Sequence, residues 1–197
     1  YVSGTEEAFV ERMKDKLDEI GVYDAEIYNS HGLPVYEDNA YSSKNQNRMS
    51  AEDMFRVVCH IFGNYPEITD ITSMKNYKLE YAGDTVKNTN GLLKNMKEVT
   101  GLKTGTTTKA GACLVASCRG TNGEGETHNL TAILFGAESN TARISYGELL
   151  IHLAMQEFEE GTYKDSLEGF ITFNDTPDAK KLLAAVLKNA RLKGLIE

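Results

Sequence analysis

Three strand-like runs crowd the centre of this chain: Val99 to Thr104, Ala112 to Cys118, and Asn129 to Phe135, rich in β-branched and apolar residues. The loop Asn122-Gly123-Glu124-Gly125 joins the last two as a hairpin, which makes that pair antiparallel. Helical patterns flank them. Phe9, Val10, Met13, Leu17 and Ile20 recur at helical spacing between Ser3 and Ile20, with Ser3 and Glu6 in the form of a capping box and Gly21 as a stop. Ser50 with Asp53 opens a second helix, whose stripe Met54, Val57, Val58, Ile61 and Phe62 ends at Gly63. A third, from Thr141 to Glu159, carries Ile144, Leu149, Leu150, Leu153 and Phe158. Helix, helix, antiparallel strands, helix predicts an α+β domain in layers.

Between these elements the pattern is looser. Tyr77, Leu79 and Tyr81 alternate as in a short exposed strand, and Asn88-Thr89-Asn90-Gly91 turns into the leucines Leu92 and Leu93. Tyr23 to Met49 reads as polar and irregular. Residues 1–160 form the main domain in this reading, and residues 161–197 a linker and helix of unassigned role, with Thr176-Pro177 as the helix start and Leu182, Leu183, Val186 and Leu187 on one face.

Charge narrows the function classes. With 21 Lys plus Arg against 29 Asp plus Glu, the 197 residues carry a formal charge of −8 and contain no basic run, which argues against nucleic-acid or anionic-membrane binding. No stretch reaches the roughly 18 apolar residues that a membrane span requires. The first residue is Tyr1, followed almost at once by a helical pattern, so the chain is expected to begin inside a larger polypeptide. Cys59, Cys113 and Cys118 cannot all pair with one another, and they read as buried structural thiols. His31, His60, His128 and His152 lack ligand spacing, so neither a metal nor any other cofactor is expected.

Chemistry concentrates at Gly101-Leu102-Lys103-Thr104-Gly105-Thr106. It is not a phosphate loop, because three residues rather than four separate the glycines and the lysine precedes the second of them. Lys-Thr-Gly on a strand is instead one signature of the serine acyl-transferases that include penicillin-binding proteins and class A β-lactamases. An ammonium beside a hydroxyl holds a substrate carboxylate and biases nearby proton transfers, while glycine lets substrate backbone lie close to the strand.

The surroundings strengthen this. Residues 101–107, with Ala110-Gly111-Ala112-Cys113-Leu114-Val115-Ala116-Ser117 after them, resemble the stretch around this motif in D-alanyl-D-alanine carboxypeptidases, the low-molecular-mass penicillin-binding proteins. Asn88-Thr89-Asn90-Gly91-Leu92-Leu93 resembles the family's Asn-rich segment, Asn29-Ser30-His31-Gly32-Leu33 its Asn-x-His-Gly-Leu loop, and Ser50-Ala51-Glu52-Asp53 its Ser-Ala-x-Asp helix start. Order and spacing agree from about Val2 to Phe158. The resemblance implies a β-lactamase/transpeptidase-like fold and a serine enzyme that removes the terminal D-Ala of peptidoglycan stem peptides through an acyl-enzyme, outside the cytoplasmic membrane, with β-lactams acylating the same serine. By position, Lys103 and Thr104 would bind the terminal carboxylate, Gly105 would lie against the substrate, and the Thr106 N–H would form half of an oxyanion hole. Arg143 matches a family arginine that helps recognise the carboxylate. His31 and Gly32 fall on the substrate-binding side, His31 ordering its own turn rather than acting as a base.

The sequence also departs from the family pattern. Members often carry His or Tyr where Thr106 stands, and no serine here has lysine three residues on, so Ser-x-x-Lys is absent. Ser43-Lys44-Asn45 fits Ser-x-Asn but follows the His-Gly-Leu loop instead of preceding the first helix. The expectation is therefore a C-terminal part of the catalytic domain, without the N-terminal strands and nucleophile helix, and inactive alone. Its sheet would lack a neighbour along Asn129 to Phe135, an edge for the missing N-terminal segment or another chain. A non-catalytic muropeptide-binding or structural homologue and a β-lactamase are the alternatives.

Overall fold

The computed structural model describes residues 2–34, 36–37, 40–41 and 45–161. These fall into two units, one holding the described residues up to Pro66 with Thr107–Ala110, the other Glu67–Thr106 with the described residues from Gly111 onward. The helix expected from Thr176 lies outside the described residues.

In the first unit, α1 spans Glu6–Glu19. Its cap is Thr5, whose Oγ1 accepts from the Ala8 N–H at 3.2 Å, and not Ser3 as the capping-box pattern predicts. Glu6 is engaged elsewhere, accepting from both the N–H and the hydroxyl of Ser30. The stretch read as irregular holds a two-stranded ladder, β1 (Tyr36–Glu37) with β2 (Ala40–Tyr41), and one antiparallel bridge between Glu26 and Arg48. Helix α2, Ala51–Asn64, starts as expected: Ser50 Oγ accepts from the Asp53 N–H at 3.0 Å and donates to its carboxylate at 2.7 Å. Of its apolar stripe only Val58 is fully buried. Cys59, on this helix, is exposed rather than buried.

The second unit begins with α3 (Ile68–Thr72), a short exposed hairpin of β3 (Asn76–Lys78) and β4 (Thr85–Lys87), and α4 (Leu92–Asn95). A three-stranded sheet follows in the order β5-β6-β7, formed by Val99–Thr107, Gly111–Thr121 and Thr127–Ala137. Antiparallel pairing of β6 and β7 runs unbroken from Leu114↔Leu134 to Thr121↔Thr127, so the ladder continues right up to the turn. In that turn Asn122 Oδ1 accepts from the Glu124 and Glu126 N–H groups, an Asx-type closure. With one strand beside it, β7 keeps an unpaired outer edge among the described residues, and β5 forms the opposite border.

The period-2 pleat puts Leu114, Ala116 and Cys118 of β6 on one face, opposite Leu134, Ala132 and Leu130 of β7. Helix α5, Asn140–Glu159 and capped by Ser139, covers that face with Ile144, Leu150, Ile151 and Met155, while Leu92, Leu93, Met96 and Val99 close the end. Burial pushes the Cys118 thiol up to about 11, so it stays protonated and inert. The helix lies tight against this core at Gly147, where an added Cβ would sit 2.4 Å from Leu114 Cδ2 and 3.2 Å from Leu92 Cδ1. Because all three residues are buried, Gly147→Ala is expected to cost about 1–3 kcal/mol, read as a lower urea midpoint with unchanged m-value. No described helix is long and apolar enough to cross a membrane.

Candidate functional site

Lys103, Thr104, Gly105 and Thr106 occupy the second half of β5, a border strand, where alternation decides which groups face solvent. Lys103 is exposed, and its Nζ donates to the Thr104 carbonyl. Thr104 is buried, with 8% of its surface exposed. At Gly105 a Cβ would meet nothing within 4 Å, so the strand presents bare backbone to open space. Thr106 is exposed. The ammonium therefore does not turn into the core, and the whole run except Thr104 lies at the surface.

Asn88-Thr89-Asn90 buttresses this strand from the side. Asn88 Nδ2 donates to the Thr72 and Met74 carbonyls, both at 3.0 Å, and Asn88 Oδ1 accepts from the Asn90 N–H at 2.9 Å. Buried Asn90 donates to the Gly101 carbonyl on β5 at 3.1 Å and accepts from the Leu92 N–H at the start of α4. Between the two asparagines, the Thr89 hydroxyl lies 2.6 Å from that of Thr104.

Arg143 enters from the first turn of α5, and only 4% of its surface is exposed. It lies on the inner face because 143, 147 and 151 repeat at one turn of helix, the face that covers the sheet. Nη1 donates to the Gly105 carbonyl at 3.0 Å, the Thr106 hydroxyl at 3.1 Å and the Cys113 carbonyl at 3.2 Å, and Nη2 donates to Asn140 Oδ1. Its Nε is buried without a partner among the described residues, and no described carboxylate pairs with the guanidinium. A cation compensated only by carbonyl and hydroxyl dipoles thus lies behind Gly105 and Thr106. Both Nη groups of Arg143 are engaged with protein atoms rather than held open, while Nε stays unpartnered among the described residues, a feature that residue type and position do not reveal.

His31 and Gly32 belong to the first unit. The Leu33 N–H donates to His31 Nδ1 at 3.0 Å, which places the proton of the neutral ring on Nε2, 3.9 Å from the Glu6 carboxylate. Asn29 closes the turn by accepting from the Gly32 N–H and donating to the Leu33 carbonyl. Ser30, through its N–H first and its hydroxyl second, holds the Glu6 carboxyl below the usual carboxylate range. Among the described residues, no group of three His, Cys, Asp or Glu side chains is arranged to hold a metal ion.

An antiparallel sheet with a helix on one face and Lys-Thr-Gly on its border strand is an α+β penicillin-binding fold. The chain superposes on the peptidoglycan synthesis regulatory factor PBP3 of Streptococcus pneumoniae with a TM-score of 0.66 and 30% identity, covering 79% of this chain and 44% of that one. On an ampicillin-bound penicillin-binding protein of Listeria monocytogenes the TM-score is 0.62 at 24% identity, over 74% of this chain and 55% of the other, a likeness of fold alone. Residues 1–139 match the family D-alanyl-D-alanine carboxypeptidase, and the chain belongs to it. It is 30% identical over 162 residues to the D-alanyl-D-alanine carboxypeptidase DacF of Bacillus subtilis, covering 81% of this chain and 38% of that protein. With DacD of Escherichia coli the identity is 31% over 160 residues, 80% of this chain and 37% of that protein. The chain thus spans under two-fifths of the length of these curated relatives.

Proposed function

We propose that residues 1–160 supply the carboxylate-recognition half of a serine D-alanyl-D-alanine carboxypeptidase. The observation that carries this reading is the unneutralised positive charge at one strand end: exposed Lys103 on the surface and buried Arg143 behind Gly105 and Thr106, with bare backbone between them. In this reading Lys103 and the Thr104 hydroxyl hold the terminal carboxylate of a stem peptide. Gly105 lets its backbone approach, and the Thr106 N–H receives charge that develops on the scissile carbonyl oxygen. Arg143, its Nη groups committed and its Nε buried, contributes field and strand position rather than a direct grip. His31 and Gly32 stay in the reading through the sequence motif alone, in a loop of the first unit that Asn29 closes.

None of the serines in these 197 residues has lysine three positions on, so the attacking hydroxyl would come from other polypeptide. It would form an acyl-enzyme and release D-alanine, and water would then free the enzyme. β-Lactams, which carry a carboxylate and a reactive carbonyl, would enter by the same contacts. The outer edge of β7, with one strand beside it, is where an N-terminal segment or another chain would pair. Such a substrate places the protein in the cell envelope, outside the cytoplasmic membrane.

A fluorescent penicillin tests this. The whole product of the gene that encodes these residues is expected to be labelled covalently, the 197-residue chain alone not at all, since loss of a serine nucleophile costs on the order of a millionfold in rate. Lys103→Ala should slow labelling of the whole product by about a hundredfold. A whole product that stays unlabelled would point to the non-catalytic homologue, and rapid turnover of penicillin with release of penicilloate to a β-lactamase.

A further inference from the structure

A threonine hydroxyl holds one proton, so Thr104 donates one hydrogen bond at a time. Its Oγ1 lies 2.6 Å from that of Thr89, and the geometry lets either atom be the donor. When Thr104 spends its proton on an incoming carboxylate, that bond survives only with Thr89 as the donor. Thr89 is exposed, belongs to no helix or strand, and has no role in the reading above. Its backbone is nonetheless fixed from both sides. Asn88 is tied to Thr72 and Met74, Asn90 is tied to Gly101 of the same strand that carries Thr104, and the two asparagines are tied to each other.

We infer that Thr89 is a positioning residue for the Thr104 proton. By donating to Thr104 Oγ1 it occupies the inward lone pair and turns the Thr104 O–H outward to an anion. Without an anion the pair relaxes to the opposite sense, Thr104 donating to Thr89. Binding a carboxylate rotates both hydroxyls and transfers no proton, so the two O–H bonds stay intact throughout. Two hydroxyls in series polarise one another, which strengthens the bond to a charged acceptor more than to a neutral one. The pair thereby selects acyl donors that end in a free carboxylate over those that end in an ester or amide. Lys103 attracts any anion; the hydroxyl pair adds direction, because its donor points along a single line from a residue with 8% of its surface exposed.

This inference rests on the proposed carboxylate site at Lys103 to Thr106, and the test separates the two. Thr89→Val, which keeps the shape and removes the hydroxyl, and Thr89→Ser, which keeps the hydroxyl, are made in the whole gene product. Acylation rates are measured with benzylpenicillin and with its methyl ester, alongside melting temperatures. Thr89→Val is expected to slow the free acid by about tenfold and the ester by less than twofold, with Thr89→Ser close to wild type on both. Equal slowing on both probes, or none, overturns the positioning role while leaving the proposed function intact. A wild-type product that neither probe acylates overturns both. Should Thr89→Val melt early, Thr89→Ala at the same exposed position replaces it, and the acid-to-ester ratio remains the readout.

Discussion

Gly101→Ala is expected to lower the melting temperature by about 10 °C or more. Gly101 sits at φ +147°, a backbone region that L-residues with a Cβ occupy only under strain of about 1–3 kcal/mol. The new Cβ would fall 2.3 Å from Thr72 Oγ1 and 2.5 Å from Thr72 Cβ, so the Thr72 side chain must move. That side chain donates to the Thr100 carbonyl at 2.6 Å, and the lost bond adds about 1 kcal/mol. Together these approach 4 kcal/mol, a large share of the roughly 5–15 kcal/mol that holds a domain folded. Each kcal/mol shifts melting by about 2–4 °C at this size. Thermal unfolding followed by circular dichroism measures it. Pairing Gly101→Ala with Thr72→Gly should remove the clash and keep the backbone strain, so partial recovery is the expected pattern. Full stability in the single variant would contradict the packing at the start of the Lys-Thr-Gly strand.

Arg143→Met is expected to damage both stability and acylation. Methionine fills comparable length with apolar atoms but leaves the carbonyls of Gly105 and Cys113 without the donor that joins them. Hydrogen bonds from a charged donor are each worth about 1.5–3 kcal/mol, and relief from burying a lone cation offsets part of the loss, so a net cost of about 2 kcal/mol is expected in urea unfolding. The chemical effect should be larger than the stability effect suggests. With the clamp gone, Gly105 and Thr106 lose both their fixed position and the positive charge behind them, and penicillin acylation of the whole gene product should fall by about a hundredfold. Arg143→Lys keeps the charge but offers one nitrogen where Nη1 serves the two strands and Nη2 serves Asn140, so it should recover only part of the rate. Unchanged acylation in Arg143→Met would show that α5 merely covers the sheet.

The three central strands and the three long helices were legible because each has a clean period. They grew on folding where pairing outran pattern: β6 and β7 extend to Thr121 and Thr127 through polar residues that alternation alone does not mark. Helix α3 went unread since five residues with two threonines show no stripe. The Ser3 cap failed because Glu6, its supposed reciprocal partner, serves Ser30 from 24 residues away, a demand invisible to local spacing. At the site, Lys-Thr-Gly and the arginine were readable as residue types in order. That Arg143 is buried with both Nη groups engaged, and that Thr89 touches Thr104, depend on which strand lies beside which loop, and no periodicity encodes that.

The outer margin of β7 has a consequence for how this polypeptide behaves in concentrated solution. From Thr127 to Ala137 there is no lysine, arginine, glutamate, aspartate or proline, the residues by which natural proteins usually discourage sticking along a bare ribbon. His128 is the sole ionisable side chain there. A segment so unguarded is tolerable only if something customarily shields it, and a preparation of these residues by themselves should cloud as its concentration climbs.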